Sequence, residues 1–119
     1  MKKVTIIFAH PFFEDSVANK EILSVIRDSH PEYQVRNLCE LYPDFNIDVE
    51  KEQEALMQSD AIVMQFPLFW YSVPAIMKQW MDQVLAHGFA FGTGGDKLNG
   101  KHFILSFTAG GNSESYTPL

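Results

Sequence analysis

The sequence predicts an α/β protein built on a doubly wound parallel sheet with strand order 2-1-3-4. Three observations carry that expectation. Apolar runs of strand length alternate with segments of helical periodicity along the 119 residues. The run Ala61-Ile62-Val63-Met64 is continuously apolar, as in a sheet-centre strand covered on both faces. It leads through Gln65-Phe66-Pro67-Leu68-Phe69-Trp70-Tyr71-Ser72-Val73-Pro74 into a helical pattern, so strand, turn and helix follow with almost no slack. Parallel strands joined this way need right-handed crossovers.

Lys3 to Ala9 has the composition of a buried first strand. His10 to Asp15 is a turn, and Ser16 is a suitable N-cap for a helix carrying Ala18, Ile22, Val25 and Ile26 on one face. That helix should end near Ser29, before His30-Pro31. Tyr33 to Leu38 alternates and is short, as an edge strand should be. Cys39 to Ile47 connects, with a turn at Pro43-Asp44. Asp48 then caps a helix whose first turns hold Glu50 and Glu52, favourable to the helix dipole. After the central strand, Pro74 sits where a first helical turn tolerates it. Val73, Ile76, Met77, Trp80, Met81, Val84 and Leu85 keep helical spacing up to Gly88. Gly88 to Lys101 is a glycine-rich loop, and His102 to Phe107 is the fourth strand.

The bounds are those of a single domain spanning residues 1–119. Composition is ordinary for a soluble globular protein, 46% hydrophobic and 20% charged, with no repeat or low-complexity tract. A net charge of −6 and the lack of any Lys/Arg cluster argue against nucleic acid as a partner. One cysteine, Cys39, allows no internal disulfide, which suits a reducing cytoplasm; it reads as a small packing residue. The basic and apolar start, Met1 to Ala9, is too short for a signal peptide, and no segment reaches the roughly 20 apolar residues of a membrane span.

In an open α/β sheet, ligands bind at the carboxyl ends of the strands. Three loops meet there. His10 to Asn19 enters a helix amino terminus, whose free N–H groups and dipole make an anion site without lysine or arginine. Ser16 and Asn19 add side-chain donors, and His10 a further donor or a positive charge; the plainer alternative is that Ser16 only caps and His10 only turns. In the second loop Phe69, Trp70 and Tyr71 present large flat faces that suit a planar ring. In the third, Thr108-Ala109-Gly110-Gly111, adjacent glycines let backbone approach a ring edge and offer N–H donors. A phosphorylated planar cofactor such as a flavin nucleotide fits all three.

Other motifs fall away. Gly95 to Lys101 has the spacing of a phosphate-binding loop, but His102 replaces its Ser/Thr and a strand follows instead of a helix. His10, His30, His87 and His102 show no metal-ligand spacing. Trp80 and Met81 read as core packing. No Gly-x-Gly-x-x-Gly follows the first strand.

The His10-Pro11…Ser16-Val17-Ala18-Asn19 loop, the Pro67-to-Pro74 turn, the Lys78…Trp80…Asp82 helix and the Thr108-to-Gly111 loop resemble the flavodoxin-like NAD(P)H:quinone oxidoreductases. Within that family, Leu41 to Asp48 and Glu52 to Leu56 look most like the quinone reductases that are ancillary subunits of glutathione-regulated potassium-efflux systems. The resemblance implies FMN, or FAD, as cofactor and ping-pong hydride transfer from NAD(P)H through flavin N5 to a quinone-like acceptor. It places His10, Ser16, Val17, Ala18 and Asn19 on the flavin phosphate and ribityl chain. Leu68, Phe69, Trp70 and Tyr71 would line the isoalloxazine, and Thr108, Ala109, Gly110 and Gly111 its pyrimidine edge. Tyr116 would be the catalytic hydrogen-bond donor to substrate, its histidine partner falling just beyond Leu119. The resemblance further implies a cytoplasmic homodimer, which a membrane potassium-efflux protein could hold at the inner face of the membrane. Its alternative function is a regulatory flavin-bound subunit with little turnover, or an inactive shortened relative. Family members continue through a fifth strand and a last helix, so the chain is expected to be a C-terminally incomplete flavodoxin-like domain. Its fourth strand would then be an exposed edge.

Overall fold

A computed structural model describes residues 2–12 and 17–109. The sheet has four parallel strands, β1 (Val4–Phe8), β2 (Gln34–Asn37), β3 (Ala61–Pro67) and β4 (His102–Thr108), in the order β2-β1-β3-β4. That is the 2-1-3-4 order expected from the sequence. Four helices connect them: α1 (Val17–Ser29), α2 (Leu38–Leu41), α3 (Val49–Met57) and α4 (Ala75–Val84). Strands β1 and β3 lie side by side with Ile7 opposite Met64 and Phe8 opposite Gln65, so their carboxyl ends finish level.

Alternation along the strands divides the core in two. Ile7 of β1, Ala9 just past its end, and Ile62, Met64 and Phe66 of β3 face α3 and α4, where they pack with Leu56, Ile76, Met77, Trp80 and Val84. Ile6 and Phe8 face the other way, onto Leu23 of α1. Asp48 caps α3 as expected, its carboxylate accepting the N–H of Lys51 at 3.2 Å.

Several local expectations are revised. The buried stripe of α1 runs through Asn19, Leu23 and Ile26, while Ala18 and Val25 are exposed and Ile22 only half-buried. Of the expected face, Ile26 does pack on the sheet, and the stripe of Ala18, Ile22 and Val25 is one step round the helix. It lines an open depression of about 420 Å³ with Glu21 and Ile26. Two apolar stripes on one helix satisfy the same periodicity, and the sheet takes the one carrying Asn19. The connection after β2 contains α2, capped by Asn37, whose side chain accepts the N–H of Glu40. Helix α4 stops at Val84, and residues 86–101 fold into successive turns, with Gly88 at φ +82°.

Glu52 lies in the first turn of α3 as expected, and it has a further role. It is fully buried, and its carboxylate accepts from Arg36 Nε at 2.7 Å, Tyr42 Oη at 2.6 Å and Trp80 Nε1 at 3.1 Å. A guanidinium and two ring donors surrounding one carboxylate satisfy a charge that would be very costly alone. The group ties β2, α2, α3 and α4 together. Trp80 is core packing as expected, with its indole N–H used as well.

Candidate functional site

Three strand ends converge where the sequence places the site. Beyond β1, His10 is nearly buried, and its Nδ1 accepts the N–H of Phe12 at 3.0 Å, which puts the ring proton on Nε2. The imidazole meets Phe69 edge to face at 6.2 Å between centroids. The main chain keeps this turn against the neighbouring strand through Ala9 N–H to Gln65 O, 3.1 Å.

Beyond β3 the chain makes a two-residue hairpin. Phe69 and Ser72 exchange both backbone hydrogen bonds at 2.9 Å, and the two tip residues, Trp70 and Tyr71, have φ of +50° and +60°. Consecutive left-handed residues are what a tight primed turn requires, and Asn or Gly normally supplies them. Bulky residues there are strained by roughly 1–2 kcal/mol each. The ring of Trp70 is 95% exposed and that of Tyr71 67% exposed, so burial within the chain does not offset that strain. Strain that displays two aromatic faces is a mark of a binding site. Leu68 turns inward onto the core, its N–H bonded to Thr108 O at 2.7 Å, and half-buried Phe69 packs at 6.1 Å from Phe12.

Under the hairpin runs a buried polar relay. Asn19 Nδ2 donates to Thr108 Oγ1 at 2.9 Å, and Gln65 Nε2 donates to Asn19 Oδ1 at 3.4 Å. Two residues named from the sequence, 89 positions apart, therefore touch. The amide of Asn19 is engaged in holding α1, β3 and β4 together. Val17 and Ala18 are exposed at the first turn of α1, where backbone N–H groups have no acceptor within the helix. Ala109 is exposed just past β4. Ser16, Gly110, Gly111 and Tyr116 lie outside the described residues.

Sequence reasoning missed Gln65 and Phe12 as parts of this site. A lone polar residue inside the apolar run Ala61–Phe66 was the available signal for Gln65; Phe12 had none. Cys39 is half-buried, and burial pushes its thiol above the ordinary value, with the N–H of His10 opposing in part. That describes an unreactive packing thiol beside the first loop. Lys101, the lysine of the phosphate-loop look-alike, donates to the carbonyls of Met57 and Ser59 at the end of α3. A second depression of about 350 Å³, lined by Lys3, Thr5, Gln34 and Ser59, lies at the amino ends of the strands, away from the converging loops. Its hydroxyls, Thr5 and Ser59, bond each other. Among the described residues no group of three His, Cys, Asp or Glu could hold a metal ion, and no helix is long and apolar enough to cross a membrane.

A family model described as flavodoxin-like fold matches residues 2–119. Over 114 residues the chain is 48% identical to the glutathione-regulated potassium-efflux system ancillary protein KefF of Salmonella dublin, covering 96% of this chain and 64% of the relative. Among solved structures, general stress protein 14 of Treponema denticola, in complex with FMN, superposes with TM-score 0.91 at 35% identity, over 97% of this chain and 66% of that one. An NADPH-quinone reductase from P. pentosaceus gives 0.83 at 33% identity, over 97% and 64%. A thermophilic tryptophan halogenase from Streptomycin violaceusniger gives 0.88 at 43%, over 95% and 65%. The chain thus spans just under two thirds of the length of the curated relatives it matches, 64%.

Proposed function

The chain belongs to the flavodoxin-like fold family whose model it matches over residues 2–119, and from that premise we propose that it carries the FMN-binding core of an NAD(P)H:quinone oxidoreductase. The observation that supports this most is the strained aromatic hairpin standing over the Asn19–Thr108 bond, with a helix amino terminus beside it. The residues fit a phosphorylated planar ring on three counts. A helix amino terminus suits a phosphate, flat ring faces suit an isoalloxazine, and a threonine followed by exposed backbone suits a heteroatom-rich edge.

In this reading His10, Ser16, Val17 and Ala18 hold the phosphate and ribityl chain. Asn19 acts one step back, fixing α1 to β4 through Thr108. Leu68 and Phe69 form the floor, and Trp70 and Tyr71 wall the ring and exclude water. Thr108 to Gly111 present the edge donors, and Tyr116 supplies the hydrogen bond to the substrate. A bound flavin supplies the two-electron relay between NAD(P)H and a quinone-like acceptor; the chain positions both against one ring face. The halogenase name borne by one neighbour suggests another chemistry. The resemblance of the three loops to the quinone oxidoreductases supports the reductase reading, as do neighbours bearing that name at 33% and 28% identity.

A visible absorption titration with FMN tests the reading. A flavin band at one ligand per chain, followed by NAD(P)H oxidation with a soluble quinone and parallel initial-rate lines, is the expected result. A folded chain that stays colourless with both FMN and FAD overturns it.

The 48% identity to a potassium-efflux ancillary protein favours a second role beside the first, as a cytoplasmic subunit bound to a membrane efflux protein. A net charge of −6 suits a basic partner face. Co-purification with such a transporter and negligible quinone turnover would make this role the principal one.

A further inference from the structure

We propose that Gln65 is a positioning residue: through Asn19 it fixes Thr108 as a hydrogen-bond donor to a carbonyl oxygen on the edge of the bound ring. The inference rests on the flavin reading for the identity of that ring, while the polarity of the three side chains rests on their geometry alone.

Gln65 is the one polar side chain of β3, and it is buried, 2% exposed. It stands opposite Phe8 of β1 and Ser106 of β4, in the middle of the sheet. An apolar residue at this position would avoid the cost of taking an amide out of water. The bond from Gln65 to Asn19 is long, 3.4 Å, against roughly 2.7–3.2 Å for an ordinary N–H···O bond, so it adds little cohesion. What it supplies is direction. Ser106 lies two residues before Thr108, so by strand alternation Gln65 and Thr108 leave the sheet on the same side, that of α1 and Asn19.

A carboxamide has a fixed polarity, with its oxygen on one side and its amino group on the other. Asn19 turns its oxygen to the amino group of Gln65, so its own amino group faces Thr108, and the 2.9 Å bond there runs from Asn19 Nδ2 to Thr108 Oγ1. Turning Asn19 over alone would set its amino group against that of Gln65, donor against donor. Thr108 is therefore the acceptor within the pair. Its hydroxyl carries a single proton, which is left to be donated outside the pair. Thr108 ends β4, half-buried, where the loops converge, and its main-chain carbonyl is already taken by Leu68 N–H at 2.7 Å. A planar ring seated beside the hairpin meets a hydroxyl donor at this point. A ring N–H would meet proton with proton, whereas a carbonyl oxygen accepts. A carbonyl oxygen also stays an acceptor in both oxidation states of such a ring and gathers negative charge on reduction, so its bond to Thr108 strengthens then.

Redox titration of the FMN-loaded chain reads this out. Thr108→Val should weaken the binding of reduced relative to oxidised FMN roughly tenfold, a fall of about 30 mV for a two-electron couple. Thr108→Ser keeps the hydroxyl and should keep the potential. Gln65→Met, of similar length but without an amide, lets Asn19 turn over and should lower the same affinity ratio roughly threefold. Placed on top of Thr108→Val it should add nothing, a result that general loosening of the core would not give. In the chain without flavin, proton Overhauser contacts from the Asn19 amide should be stronger to the Thr108 methyl than to the Gln65 side chain, and Gln65→Met should abolish that preference. An unshifted potential in Gln65→Met, additive shifts in the double variant, or an Asn19 amino group that faces Gln65 overturns the proposal. A chain that takes up no flavin overturns the redox reading, and with it the ring carbonyl as ligand. The Overhauser contacts then still decide whether Gln65 orients Asn19.

Discussion

Asn19 and Thr108 are joined by a hydrogen bond of 2.9 Å, Nδ2 to Oγ1, that ties the first turn of α1 to the carboxyl end of β4. Asn19 is only 2% exposed and also accepts from Gln65, so the pair is the buried seam beneath the candidate site.

That seam can be tested by a mutant cycle. Thr108→Val leaves a buried amide donor without its acceptor, and should cost about 1–3 kcal/mol in urea unfolding. Asn19→Leu strands Gln65 and Thr108 together and should cost a similar amount. The double variant should be milder than the sum, because replacing both partners removes the unpaired groups. FMN affinity, followed by flavin fluorescence, should fall in both single variants. Strict additivity of the two stability losses would show that the bond has no energetic role.

The hairpin offers the opposite trade. Trp70 occupies a left-handed conformation with its ring in solvent, so Trp70→Asn should stabilise the chain by about 0.5–1 kcal/mol. The same change removes a ring face from the flavin site and should weaken FMN binding roughly tenfold. Thermal melts and flavin titrations on one preparation check both. A destabilised variant, or one that binds FMN unchanged, would remove the argument that strain here serves binding.

What was legible in the sequence follows from where local and global signals agree. The order of the strands, the capping by Asp48 and the convergence of the loops after β1, β3 and β4 were legible, whereas the bond between Asn19 and Thr108 was not. Of the face expected for α1, Ile26 was read correctly, but Ala18, Ile22 and Val25 have the same period as the buried Asn19, Leu23 and Ile26, and period alone cannot choose between the two stripes. Glu52 was placed correctly in the first turn of α3, but its burial was not legible. A glutamate in a first helical turn looks solvated, and only the tertiary approach of Arg36, Tyr42 and Trp80 makes its burial tolerable. The paired positive φ of Trp70 and Tyr71 has no sequence signal, because neither is a residue that such a turn selects.

Glu52→Gln should be among the most damaging single changes in the chain. It leaves the half-buried guanidinium of Arg36 without a counter-charge, a loss of roughly 3–5 kcal/mol by the behaviour of broken buried pairs. Against a usual total of about 5–15 kcal/mol, the variant should be marginal. Because Trp80 hangs on the same carboxylate, α4 and the hairpin before it should loosen too, visible as faster amide exchange in residues 75–84. A loss under about 1 kcal/mol would mean that the network relaxes around the amide.

Two weak acids, half-buried Cys39 and buried Tyr42, set the behaviour in base. Burial raises the Cys39 thiol above its ordinary value, with the His10 N–H opposing, and burial followed by the bond to Glu52 raises the Tyr42 phenol against the pull of Arg36. In each case the folded chain keeps a proton that the unfolded chain releases, so stability falls as pH rises. Each contribution is complete below the unfolded pKa, about 8.5 for a thiol and about 10 for a phenol, and is lost as pH climbs through the raised native value. Urea midpoints should therefore decline first above about pH 8.5 and more steeply above about pH 10. Cys39→Ala should remove the earlier decline and Tyr42→Phe should reduce the later one. Tyr42→Phe also gives up the 2.6 Å bond to a carboxylate, so its midpoint should be lower throughout the neutral range. A Tyr42→Phe profile parallel to the unsubstituted chain through pH 11 would mean that Tyr42 ionises alike in both states, and that its bond to Glu52 does not hold the proton.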